Sequence, residues 1–198
     1  MKNKVVIATS NKHKFAEMQE CLISIFDVVY SLTDLGISID AEETGSTFLE
    51  NSKIKALDIS RKVNLPVIAD DSGLSICSLN DFPGIYSSRF MENESYENKC
   101  KEIIRLLEDK IDRSAYYTCA ITFIDKKRDI FKQIERRSEG CIVKEYKKRE
   151  HGFGYDPIFF SDEAGEIFGN ISKEEKFKYS HRGKAIRDLV SFLRELYS

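Results

Sequence analysis

The chain has 198 residues, 41% of them apolar and 32% charged, enough to bury a substantial core and remain soluble. Its 31 basic and 33 acidic residues leave a net charge of −2, which argues against a protein that coats nucleic acid or sits on a membrane by charge alone. Any phosphate binding must therefore come from local positive groups. No segment approaches the ~20 apolar residues that span a bilayer. The run Val5 to Ala8 is too short for a secretion signal, so a cytoplasmic protein is expected. The five cysteines are widely spaced with no CxxC pair. They are expected to be reduced thiols, most of them small core residues.

In chain order, Lys4 to Thr9 reads as a strand and Lys12 to Phe26 as a helix, with Phe15, Met18, Leu22 and Ile25 at helical spacing. Ser10 or Asn11 is a natural N-cap. Val28 to Leu32 reads as a second strand, giving a parallel α/β opening. Thr47 to Val63 reads as a long helix, and Thr47 and Glu50 have capping-box spacing. After Pro66 an apolar run is expected to form a strand ending at Asp70-Asp71. A short strand over Leu74 to Leu79 and a loop over Asn80 to Arg89 follow. Glu94 to Glu108 is amphipathic. Ala115 to Ile124 and Ile130 to Val143 read as a long hairpin about the turn Asp125 to Asp129. Lys144 to Asp156 reads as a charged loop and Pro157 to Ser161 as a short strand. Ser172 to Phe177 reads as a short capped helix, and Arg182 to Tyr197 as a final amphipathic one. No repeat or low-complexity tract is evident.

The segment Val67-Ile68-Ala69-Asp70-Asp71-Ser72-Gly73-Leu74 carries the most information. Ligands in α/β proteins sit at the carboxyl ends of strands. Two adjacent acids following an apolar strand are costly unless something positive shares the site, and a magnesium ion is the simplest candidate. The competing reading is a tight turn, since Asp, Ser and Gly all favour turns.

Other groups suit a phosphorylated ligand. Thr9 to Lys14 lies at a strand-to-helix turn, where amides and the helix dipole favour an anion. Lys14 follows Asn11 by three residues, so both can face one ligand. Glu42-Glu43 precedes a helix bearing Glu50 and Lys55, whose plainer reading is a solvated loop and surface face. Gly152-Phe153-Gly154-Tyr155-Asp156 pairs glycines, which admit close backbone approach, with rings that can stack on a base. His181-Arg182 can donate to phosphate or to a base carbonyl. Glu145 and Glu150 dilute the basic run Lys144 to Arg149, so no nucleic-acid binding is expected. Together these groups point to a metal-dependent enzyme acting on a phosphorylated substrate.

Their order and wording are more specific than any one of them. Ser10-Asn11 with Lys14, Glu43-Thr44-Gly45 through Glu50-Asn51 and Lys55, Ala69 to Leu74 with Pro83 to Arg89, Gly152 to Phe159, and Ser180-His181-Arg182 together resemble the inosine triphosphate pyrophosphatase family, the dITP/XTP pyrophosphatases. The resemblance spans nearly the whole chain. It implies one domain over residues 1–198, built as an elongated, twisted mixed sheet with flanking helices and two lobes around a cleft. The implied activity is hydrolysis of non-standard purine triphosphates (ITP, dITP, XTP) to the monophosphate and pyrophosphate, with magnesium, in a homodimer with no membrane or nucleic-acid partner.

Residue roles follow from the same resemblance. Asp71 would be the catalytic acid and a magnesium ligand. Asp70 and one of Glu42 or Glu43 would complete the metal site. Thr9, Ser10, Asn11 and Lys14 would hold the triphosphate with help from Lys55, and Ser72 would touch the nucleotide. Phe153, Gly154, Tyr155 and Asp156 would line the base and sugar pocket. Lys176, His181 and Arg182 would read the 6-oxo group. His13 and His151 fall where the motifs are free and are expected to be exposed. A related house-cleaning pyrophosphatase for pyrimidine or modified nucleotides is the nearest competitor. A non-catalytic nucleotide-binding protein would be expected to lack the acids that are present here.

Overall fold

The computed structural model describes residues 3–197. Eight strands share one sheet: β1 (Lys4–Ala8), β2 (Val28–Tyr30), β3 (Val67–Ile76), β4 (Phe82–Pro83), β5 (Ser114–Asp125), β6 (Ile130–Ile142), β7 (Phe159–Ser161) and β8 (Glu166–Ile167). The hydrogen-bonded order is β2-β1-β3-β5-β6-β7-β8, with β4 attached to β3. Among the described residues five α-helices accompany it: α1 (Lys12–Leu22), α2 (Phe48–Lys62), α3 (Tyr96–Leu106), α4 (Lys173–Tyr179) and α5 (His181–Tyr197). Among the described residues no helix is long and apolar enough to cross a membrane.

The chain divides into two compact units. The first comprises Met1–Asp71, Cys119–Glu135 and Ala185–Ser198. Its parallel strands are continuous apolar runs, as strands covered on both faces require. Val5 to Ala8 and Val67 to Ala69 are fully buried. β1 pairs with β2 from Lys4↔Val28 to Val6↔Tyr30, and with β3 from Val6↔Val67 to Ala8↔Ala69. α2 packs Ala56 and Ile59 into this core beside Leu32 and Ile124. Each such branched side chain taken from water contributes about 1.5–3 kcal/mol. The second unit comprises Ser72–Thr118 and Arg136–Lys184. Its core is aromatic: Tyr117, Tyr155, Phe159 and Phe168 pack with Leu74, Ile103 and Ile142.

The mixed α/β sheet with helices is as the sequence predicts, with several corrections. β3 does not stop at Asp70-Asp71 but runs unbroken for ten residues to Ile76, so the short strand expected over Leu74 to Leu79 is not separate: its first three residues end β3, and Cys77–Leu79 form a 3-10 turn. The acids still follow the last parallel pair, Ala8↔Ala69, and beyond them β3 pairs with β4 in antiparallel fashion. Helix α1 ends at Leu22 rather than Phe26. The amides of Ile25 and Phe26 both bond the Leu22 carbonyl in a turn that sends Phe26 into the core. β2 ends at Tyr30, and the chain then enters a 3-10 turn over Thr33–Leu35. Only Cys100 and Cys119 of the five cysteines are buried, and Cys77 is exposed. The short strands β4 and β8 had no sequence signal.

Candidate active site

In the first unit, three elements bring charge together. Asp70 and Asp71 stand on β3 just past its parallel pairing with β1. Lys14 lies in the first turn of α1, which starts where it does because the Asn11 side chain accepts from the amides of His13 (2.9 Å) and Lys14 (3.2 Å). The Thr9 hydroxyl accepts from the Asn11 amide at 3.3 Å. Two amides that the sequence offered to an anion are thus engaged by the cap itself. Lys55 lies on α2, whose start is fixed by a reciprocal capping box between Thr47 and Glu50. Glu50 is therefore an exposed cap, whereas Lys55 is buried.

Lys14 Nζ lies 2.8 Å from Asp70 Oδ2. Lys55 Nζ lies 2.9 Å from Asp71 Oδ1 and 3.2 Å from Glu43 Oε1. Glu43, not the exposed Glu42, is the glutamate that reaches the cluster. Burial works against the charged form of Lys55, but Asp71, Asp70 and Glu43 outweigh it and hold its pKa above the ordinary lysine value. Burial raises the Asp71 carboxyl above its ordinary pKa even though Lys55 and Lys14 oppose the shift. Three carboxylates against two ammonium groups leave one negative charge in excess. Asp71 Oδ2 is buried and accepts no hydrogen bond from the described residues. Among the described residues no three acidic, imidazole or thiol groups gather at metal-binding distance; lysines pair with the carboxylates instead.

In the second unit, Asp156 is buried and its Oδ2 accepts from the Phe153 amide at 2.7 Å and from Lys176 Nζ at 2.5 Å. Gly152, at φ +82°, makes this loop possible, since a Cβ there would lie 2.6 Å from Asp156 Oδ2. The Phe153 ring carries Lys176 Nζ 4.8 Å and the Arg182 guanidinium 5.4 Å from its centroid. Arg182, also buried, donates from Nη2 to Ser72 Oγ at 3.0 Å. His181 is buried as well. The Tyr155 hydroxyl donates to the Ser87 carbonyl at 2.8 Å, and its ring meets Tyr96 edge to face.

The expected residues thus form two sets. Lys14, Lys55, Glu43, Asp70 and Asp71 meet in one unit, while Ser72, Phe153, Asp156, Lys176 and Arg182 are linked in the other. Ser10 is exposed. Sequence reasoning assigned no role to Ser87 or Tyr117. The Ser87 hydroxyl accepts from the Leu74 amide at 2.9 Å, and the closeness of this residue explains Gly73, where a Cβ would lie 2.4 Å from Ser87 Oγ. Ser87 lies within Pro83 to Arg89, one of the segments that carry the family resemblance. Tyr117 lay in a strand with nothing to mark it.

The lysine–carboxylate cluster offers cations that can meet phosphate, and the buried cation–aromatic set offers a ring face and donors that can meet a heterocyclic base. The chain belongs to the Ham1 family, whose profile matches residues 5–192. It is 42% identical over 199 residues to the dITP/XTP pyrophosphatase of Haemophilus influenzae, covering 98% of this chain and 100% of that protein. It is 39% identical over 193 residues to that of Thermoanaerobacter sp. strain X514, covering 96% of each. Among solved structures, a HAM1 protein from Coxiella burnetii superposes with a TM-score of 0.88 at 37% identity, covering 98% of this chain and 99% of that one. The Staphylococcus aureus Ham1 protein does so with a TM-score of 0.88 at 36% identity and the same coverage.

Proposed function

We infer that this chain is a pyrophosphatase that hydrolyses non-standard purine nucleoside triphosphates such as dITP and XTP to the monophosphate and pyrophosphate, clearing the nucleotide pool of deaminated bases. The observation that carries the reading is Asp71. Its Oδ1 is held by Lys55, while its buried Oδ2 accepts no hydrogen bond from the described residues. A carboxylate so placed is poised to take a proton from attacking water.

The other residues have roles that follow from their chemistry. Lys14 and Lys55 exchange carboxylate partners for phosphate oxygens and neutralise the leaving pyrophosphate. The donor set is all carboxylate oxygen, which suits magnesium. Asp70, Asp71 and Glu43 would hold the ion, which when bound supplies further neutralisation at the phosphates. In the second unit, Phe153 offers a face for the base and Lys176, His181 and Arg182 offer donors to a 6-oxo group. Adenine, with a 6-amino group there, would leave those donors unpaired, a penalty of roughly 1–3 kcal/mol for each buried group.

The family resemblance extends the proposal to a homodimer acting in the cytoplasm, and its subunit count is read by light scattering. Phosphorus NMR of the dITP reaction tests the bond cleaved. Equal release of monophosphate and pyrophosphate is expected, and a diphosphate with inorganic phosphate would overturn the assignment.

A further inference from the structure

The side chain beneath His181 is Tyr117. The two rings are stacked, with centroids 4.6 Å apart and planes within 8°. Tyr117 is itself fixed. Phe168 stacks with it at 6.2 Å and 18°, and Phe159 meets it edge to face at 4.7 Å. All of these rings are buried. Lys176 Nζ lies 5.5 Å from the Phe168 centroid. Two of the groups proposed to read the base therefore rest on one aromatic column of Tyr117 and Phe168.

We propose that Tyr117 is a specificity-determining positioning residue, whose ring sets the plane of the His181 imidazole and thereby enforces selection of a 6-oxo purine. This inference rests on the function proposed above. Imidazole N–H groups lie in the ring plane, so fixing the plane fixes the direction of donation. Hydrogen bonds weaken steeply once the donor angle falls towards 120°. A rigid donor rewards a 6-oxo group and penalises a 6-amino group, because it cannot turn away from the wrong partner. A loosely held imidazole could turn away, so the right base would lose binding and the wrong one would lose little. The ring does this work through its face, not through its hydroxyl.

The test compares wild type, Tyr117→Leu and Tyr117→Phe, with kcat and KM measured for dITP and dATP and folding checked by thermal melting. In folded Tyr117→Leu, kcat/KM for dITP should fall about tenfold, mainly through KM, while that for dATP stays near its wild-type value. The dITP/dATP ratio then drops about tenfold, and Tyr117→Phe, which keeps the ring, should restore it to within about twofold. A purely structural role would lower both substrates together. Should Tyr117→Leu not fold, proton–carbon NMR of the three histidines in wild type and Tyr117→Phe decides. The His181 ring protons should be shifted upfield of those of the exposed His13 and His151 in both proteins. A wild-type ratio in folded Tyr117→Leu, an equal loss in Tyr117→Phe, or no upfield shift overturns the inference. If wild type itself fails to prefer dITP to dATP, the proposed function fails instead.

Discussion

The two units treat charge in opposite ways. In the first, lysines from two helices meet two carboxylates on a strand and Glu43 from the segment before α2, so carboxylates outnumber cations. In the second, one buried carboxylate, Asp156, faces Lys176, and Lys176 and Arg182 lie over an aromatic ring. A net-negative cluster with exchangeable partners suits bond cleavage at a phosphate, whatever base is attached. Cations fixed against rings suit reading a base, whatever happens at the phosphate. The rate should therefore depend on the first unit's charges and selectivity on the second's.

The largest expected effect is on rate. Asp71→Asn should lower kcat about a thousandfold with KM for dITP little changed, measured by pyrophosphate release. If Asp71→Asn altered the dITP/dATP ratio instead, the division between the units would collapse. Lys55→Met should be next, lowering kcat/KM about a hundredfold for both nucleotides. It also strands buried Asp71 and should destabilise the fold by about 3 kcal/mol in urea titration. In contrast, Lys176→Met should lower the dITP/dATP ratio about tenfold with kcat for dITP nearly unchanged. It removes the cation that faces buried Asp156 and leaves only the Phe153 amide on that carboxylate, so Asp156→Asn in the same background should recover part of the lost melting temperature.

Gly152→Ala sharpens the comparison through the backbone. Its positive φ and the close Asp156 carboxylate should make the change destabilising by about 1–3 kcal/mol, with a higher KM and unaltered kcat. The smallest effect concerns the cysteines. Burial, with help from the Asp156 and Glu97 carboxylates, pushes the Cys100 thiol up to about 12. A thiol whose pKa is raised in the folded state stays protonated as pH rises to 8, so iodoacetamide should spare Cys100 while labelling exposed Cys77. Peptide mass mapping reads this directly.

The parts of this arrangement legible in the sequence are those set by neighbours in the chain. The caps at Asn11, Thr47 and Ser172 are local hydrogen bonds between residues a few positions apart, and each helix begins where they indicate. The long hairpin of β5 and β6 followed from alternation and a polar turn. What was not legible depends on distant partners. Asp-Asp-Ser-Gly reads locally as a turn, yet β3 runs straight through it because Lys14 and Lys55 meet the charges and Ser87 bonds the Leu74 amide. Lys55 looked like a surface lysine for the same reason. Tyr117 matched the alternating pattern of its strand, and only the fold sets it against His181.

Parallel assays of pyrophosphate release from dITP, ITP, XTP, GTP, ATP and dTTP with magnesium test the central claim most directly. The account predicts strong turnover of the first three and poor turnover of the rest. Turnover of dTTP or ATP equal to that of dITP would contradict it.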